Sequence, residues 1–295
     1  MVMKEQFLKG CGTAMFTPFK GGKVDVEALA ATTRRQVEAG VDFLVPLGTT
    51  GETPTLSDEE KLLVYNTVRA HAGGTPVVVG VGSNNVSGTL ANMELLKEAD
   101  AFLVVVPFYN KPPQRGVYAY FKAIASATEK PVILYNVPGR TGANCEADTT
   151  LALARDVPNI VAVKEASGKL EQIRTILARR PDGFSVLSGN DDDTLSIMKD
   201  GGADGVISVA SNVCPKEMAD FIHAAAAENW QVAEELERRL HPLFEALFIE
   251  PNPIPGKAAM AQLGLMENEF RLPLVPALAQ TETLIHNTMA ELWKK

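Results

Sequence analysis

The chain has 295 residues, 46% hydrophobic and 22% charged, an ordinary globular composition with ample material for a large core. Its formal net charge is −8 with no long basic run, which argues against nucleic acid or an anionic membrane as partner; any anionic substrate must be held by local donors. No apolar stretch approaches the roughly 20 residues that span a bilayer, residues 1–10 carry no apolar leader core, and the widely spaced Cys11, Cys145 and Cys214 suggest neither disulfides nor zinc, so a reducing, cytoplasmic setting is expected.

In chain order, the first strand-like apolar run covers 12–16. Asp25 can then cap a helix with Val26, Leu29, Thr33 and Val37 on its apolar face, stopped by Gly40. A second run, 43–47, leads into Gly48-Thr49-Thr50-Gly51-Glu52. Ser57 and Glu60 make a capping-box pattern before Leu62, Leu63 and Val64. Runs at 77–81 and 102–106 follow, then a helical stripe of Tyr118, Phe121, Ile124 and Ala125. The runs at 132–135 and 160–163 lead to Tyr135 and Lys164. The seventh, 184–187, precedes Asp191-Asp192-Asp193, which should cap a helix that Gly201-Gly202 stops. The eighth, 205–209, precedes a helix carrying Met218, Phe221, Ile222 and Ala225.

These runs are continuous rather than alternating, as parallel strands covered on both faces require. Eight strand–helix units predict an α/β protein of the (β/α)8 TIM-barrel class over residues 1–228. A doubly wound sheet would usually have fewer strands and a glycine-rich first turn, which Gly10, Gly12 and Gly21-Gly22 do not make. Residues 229–295 predict a C-terminal helical appendage with helices over 230–248, 255–263 and 275–293. Pro251, Pro253 and Pro255 separate the first two.

Functional residues of a barrel sit at the C-terminal ends of its strands. Lys164 ends an apolar strand, where a buried ammonium costs several kcal/mol unless paired or neutral. Two uses are open: an ion pair with a carboxylate such as Glu165, or attack on a carbonyl to form a Schiff base. The second needs a proton shuttle, and Tyr135 on the adjacent strand suits it. Thr49 and Thr50 offer hydroxyls and amides for a carboxylate, although the same pentapeptide could be a plain turn. The other strand ends supply Tyr109, Arg140, Ser188-Gly189-Asn190 and Ile207-Ser208. His71, His223, His241 and His286 all fall in helical stretches without ligand spacing, so no metal is expected.

On these segments, together with Tyr135-Asn-Val-Pro-Gly-Arg-Thr-Gly142, Lys164-Glu-Ala-Ser-Gly168 and Glu250-Pro-Asn-Pro-Ile-Pro-Gly-Lys257, the chain resembles the 4-hydroxy-tetrahydrodipicolinate synthase (dihydrodipicolinate synthase) family over essentially its whole length. The resemblance implies condensation of pyruvate with aspartate-4-semialdehyde in the diaminopimelate and lysine pathway, with Lys164 as the Schiff-base residue. It implies that Thr50, with Thr49, Gly189 and the Ile207 backbone, holds the pyruvate carboxylate. Tyr135 would relay protons through Thr49 to Tyr109 of a neighbouring subunit, and Arg140 would receive the second carboxylate. No cofactor or metal is implied, and the expected assembly is a homotetramer of two tight dimers. N-acetylneuraminate lyase and keto-sugar-acid aldolases share the lysine and tyrosine but rarely the arginine; a non-catalytic sensor barrel would have lost one of these groups. Lysine-inhibited members bind lysine through residues whose positions here carry Asp58, Lys61, Gly88 and Phe108, with only Asn84 kept, so weak or absent feedback inhibition is expected.

Overall fold

A computed structural model describes residues 8–294. Of the stretch 1–10, where no leader core is expected, residues 1–7 lie outside the described residues. Eight parallel strands are present: β1 (Gly10–Ala14), β2 (Phe43–Val45), β3 (Val78–Gly80), β4 (Ala101–Val105), β5 (Val132–Asn136), β6 (Ile160–Glu165), β7 (Ser185–Ser188) and β8 (Gly205–Ser208). Each lies within about two residues of its expected run, the usual uncertainty of element ends. The sheet order is β2-β1-β8-β7-β6-β5-β4-β3.

Helices alternate with the strands: α1 (Val26–Glu38), α2 (Asp58–His71), α3 (Val86–Leu95), α4 (Gln114–Ala125), α5 (Ala147–Asp156), α6 (Leu170–Arg179), α7 (Thr194–Gly201) and α8 (Pro215–Ala226). Three more follow: α9 (Trp230–Ala246), α10 (Ile254–Gln262) and α11 (Ala279–Leu292). No helix among the described residues is long and apolar enough to cross a membrane.

By contact density the chain forms two compact units. One comprises residues 8–9 and Val78–Ile207, the other Gly10–Val77 and residues 208–294. In the first, Phe102, Phe121, Ile124 and Ile133 are among the largest fully buried side chains; in the second, Phe19, Leu29, Phe43, Phe221 and Phe244 are.

Local signals act largely as their chemistry dictates. Asp25 accepts from Ala28 N at 3.0 Å, and Ser57 with Glu60 forms the full capping box. Four details differ from the sequence reading. Val26 is 39% exposed, while Thr32 and Gln36 are buried, because Thr13 Oγ1 donates to Gln36 Oε1 and Gln36 donates to Ser211 O. Asp193 occupies the N-cap of α7 without a side-chain cap bond; its carboxylate instead accepts from Asn190 Nδ2 at 3.0 Å. The last helix starts at Ala279 rather than 275, since Pro276 disfavours helical backbone at Val275 and Leu278 is extended. A hairpin of Phe19–Lys20 with Lys23–Val24 is additional, its turn made by Gly21 and Gly22 at φ 59 and 78°.

Candidate active site

β5 and β6 pair in parallel with Tyr135 opposite Lys164 and Asn136 opposite Glu165. Side chains alternate across a strand, so the first pair shares one face and the second pair the other. Lys164 is 6% exposed and Tyr135 7%. The lysine Nζ stands 4.4 Å from the Tyr135 ring centroid. Among the described residues no carboxylate pairs with Lys164, and the Tyr135 hydroxyl makes no hydrogen bond.

Glu165 faces away and is held by other groups. Asn136 Nδ2 donates to it at 3.0 Å, Gln172 Nε2 at 2.9 Å and the Ser167 amide at 3.1 Å. Asn144 bridges Asn136 and Gln172 in the same network. Burial pushes the Glu165 carboxyl above the ordinary carboxylate range, against the pull of these donors. Of the two uses open to Lys164, ion pairing with Glu165 is therefore the one this geometry removes.

Gly189 follows β7, and its amide donates to Glu165 O at 2.8 Å. A Cβ there would stand 3.0 Å from Lys164 Cε and 2.5 Å from Ala166 Cβ. A side chain at 189 would thus displace Ala166 first and press on the lysine stem as well. Ile207 is fully buried within β8. Beyond β5, a single helical turn, Pro138–Thr141, carries exposed Arg140. The Tyr109 amide donates to Thr141 O at 3.1 Å, tying the loop after β4 to that turn. Tyr109 itself is 86% exposed and held at φ 72°, a strained left-handed backbone for an aromatic residue.

In the second unit, Thr49–Gly51 forms a 3-10 turn after β2. Thr49 is partly exposed and its hydroxyl makes no hydrogen bond among the described residues, whereas Thr50 is 4% exposed. The turn is fixed from several sides. Thr17 Oγ1 donates to Gly51 O at 2.7 Å, and Thr53 Oγ1 to Gly48 O at 3.0 Å. Asn252 Nδ2 donates to Thr50 Oγ1 at 3.0 Å. Glu52, in left-handed backbone at φ 52°, meets Lys257 of α10 at 2.6 Å with both side chains fully buried. Lys257 also donates to Glu269 O at 2.6 Å and Thr17 O at 3.2 Å, between the rings of Phe19 and Phe270.

Asn252 and Lys257 carry no role in the sequence reading. The available signal is the polar residues set among prolines from Glu250 to Lys257, a pattern that marks a fixed backbone without naming its partner. Among the described residues no group of three His, Cys, Asp or Glu side chains is placed to hold a metal. All three cysteines are buried, and burial pushes the Cys145 thiol up to about 12.

A family model described as "Dihydrodipicolinate synthetase family" matches residues 7–292. The 4-hydroxy-tetrahydrodipicolinate synthase of Koribacter versatilis is 48% identical over 289 residues, covering 96% of each chain. That of Thermotoga maritima is 45% identical, covering 96% of this chain and 98% of its own. The crystal structure of the Thermotoga maritima dihydrodipicolinate synthase superposes with a TM-score of 0.94 at 43% identity, over 97% of this chain and 99% of that one. A structure described as the first monomeric dihydrodipicolinate synthase variant gives 0.94 at 43%, over 96% of each. The fold is thus the expected (β/α)8 TIM barrel with C-terminal helices. With its motifs, fold and near-complete coverage in agreement, the chain belongs to the dihydrodipicolinate synthetase family.

Proposed function

We propose that the chain condenses pyruvate with aspartate-4-semialdehyde, the 4-hydroxy-tetrahydrodipicolinate synthase reaction, through a Schiff base on Lys164. The observation that carries this is a buried lysine facing Tyr135 and paired with no carboxylate among the described residues. The relatives' names favour this reading over a keto-sugar-acid lyase.

The Lys164 amine attacks the pyruvate ketone, and the carbinolamine loses water to give an imine. Loss of a methyl proton gives an enamine, which attacks the aldehyde carbon. The amino group of the second substrate then attacks the imine carbon, closes the ring and releases Lys164. Tyr135 moves the protons to and from the carbinolamine oxygen. Thr50, Gly189 and the Ile207 backbone hold the pyruvate carboxylate; Thr49 passes protons on to Tyr109 of a neighbouring copy. The exposure and strained backbone of Tyr109 fit a residue built to serve another subunit. Arg140 takes the carboxylate of the aldehyde by a bidentate fork. The covalent imine makes an external cofactor or metal unnecessary. The assembly is a homo-oligomer, a tetramer of two tight dimers, working in the cytoplasm; one similar solved protein is described as a monomeric variant, and a monomer mass in solution would reject this assembly.

Borohydride with pyruvate should trap a reduced adduct that peptide mapping places on Lys164, and pyruvate should drive consumption of aspartate-4-semialdehyde. An adduct on another lysine, or none, rejects the mechanism. Arg140→Ala should raise KM for the aldehyde far more than for pyruvate; equal effects reject the arginine's role. Feedback by lysine should be weak: α2 places Lys61 against Asp58 at 2.8 Å, at positions where lysine-inhibited relatives carry ligands. Half-inhibition below about 1 mM, roughly 4 kcal/mol of binding, would count against that.

A further inference from the structure

Thr50 Oγ1 accepts from Asn252 Nδ2, and its hydroxyl finds no acceptor among the described residues. A hydroxyl has one proton to give and lone pairs to receive. The asparagine amide nitrogen can only donate. The contact therefore fixes the polarity of Thr50: its oxygen is occupied, and its proton is left pointing at whatever else enters the site. At 4% exposure, a donor without an acceptor is costly, and an entering carboxylate would satisfy it.

Asn252 is itself held firmly. It is 6% exposed and lies between Pro251 and Pro253, whose carbonyls accept from the amides of Ile254 and Lys257 at the start of α10. Lys257 of that helix grips Glu52, two residues past Thr50. One short segment, about 200 residues away in the chain, thus grips the threonine turn both at Thr50 and just beyond it.

We propose that Asn252 is a positioning residue for substrate recognition, donating to Thr50 Oγ1 so that the Thr50 hydroxyl proton is committed to the substrate carboxylate. This rests on the reading that Thr50 holds the pyruvate carboxylate. Lys257 and Glu52 keep the two segments in register. Aspartate at 252 would reverse the polarity: its carboxylate accepts from Thr50 and withdraws the proton from the substrate.

The test is a double-mutant cycle of Asn252→Asp and Thr50→Val on the full chain, read as KM for pyruvate, KM for the aldehyde and kcat, with thermal melts. Thr50→Val alone should raise KM for pyruvate by roughly 10- to 100-fold, the worth of a hydrogen bond to a charged group. Asn252→Asp should raise it comparably and leave KM for the aldehyde within about threefold. The double variant should be no worse than Thr50→Val. If Asn252→Asp leaves KM for pyruvate unchanged while Thr50→Val raises it, the role of Asn252 is wrong and that of Thr50 stands. If the Asn252→Asp effect persists in full on the Thr50→Val background, it is charge repulsion alone and the polarity argument falls. If Thr50→Val changes nothing, the reading of Thr50 fails and takes the inference with it. Should Asn252→Asp not fold, Asn252→Leu, the neutral isostere, runs the same cycle. A smaller rise is then expected, and full additivity with Thr50→Val again overturns the proposal.

Discussion

Two buried lysines, Lys164 and Lys257, meet opposite surroundings. Lys257 is fully buried, and three oxygens, from Glu52, Glu269 and Thr17, accept its three N–H groups. Burial pulls its ammonium below the ordinary lysine range, and Glu52 pulls it back. Lys164 is almost as buried, yet it has an aromatic face and no anion, although Glu165 is its chain neighbour. A strand's alternation sends that glutamate to the far face, where Asn136, Gln172 and Ser167 hold it. A lysine that stabilises a fold has its donors filled by the fold. A lysine meant to form a bond with substrate is left with none filled.

Substituting each lysine in turn is the strongest test of that contrast. Lys164→Met should lower turnover by roughly 10⁴-fold or more while changing stability by less than about 1 kcal/mol, because no ion pair is lost. Steady-state assay and thermal melting check both halves; a large loss of stability would show that Lys164 has a structural partner after all. Tyr135→Phe should cost about 10²–10⁴ in turnover and keep the ring beside the amine, so borohydride trapping should slow rather than move. Trapping on a different lysine in this variant would break the pairing.

Lys257→Met should act in the other sense. It strands Glu52 as a buried unpaired charge, which costs about 3–5 kcal/mol, seen as a lower Tm. Adding Glu52→Gln should return part of that loss. A Lys257→Met protein as stable as the wild type would mean that the ion pair does not stabilise the fold. Glu165→Gln has the smallest effect and should leave the Lys164 adduct in place. Burial raises the Glu165 carboxyl above its ordinary 4.5, so the folded chain holds that proton more tightly than the unfolded one. Its contribution to stability is complete below 4.5 and is lost as pH rises through the raised value. The Tm of the wild type relative to Glu165→Gln should therefore fall as pH rises above 4.5; a flat difference would contradict the shift.

The strands are legible in the sequence because continuous Val, Ile and Leu runs have few other uses, and Tyr135 and Lys164 because a polar residue closing such a run stands out. Their register, with Tyr135 opposite Lys164, is not legible: the pairing shifts between Val132 and Ile133, and no sequence pattern marks that shift. The grip of Asn252 and Lys257 on the threonine turn is not legible. Its partners lie 202 and 205 residues apart, and no local periodicity relates them. The buried face of α1 departs from its apolar stripe at Val26 because burial of Gln36 depends on partners in Thr13 and Ser211, far along the chain. The glycines at 21 and 22 fail a nucleotide-binding fingerprint yet turn a hairpin, whose strands of two residues each are too short to leave a periodic signal.

Gly189 bears on how the enzyme could be tuned. Besides its backbone, this position contributes a gap, which a Cβ would fill to within 3.0 Å of the lysine stem. Conversion of a tetrahedral amine to a planar imine changes the direction in which the stem must leave the nitrogen, and the gap beside Cε is the room for that turn. A methyl group at 189 would remove no functional group, yet it would crowd Ala166 as well as the lysine stem and so slow each covalent half-step by restricting a torsion. What this position supplies to the chemistry is empty volume, a property that no inventory of reactive groups contains.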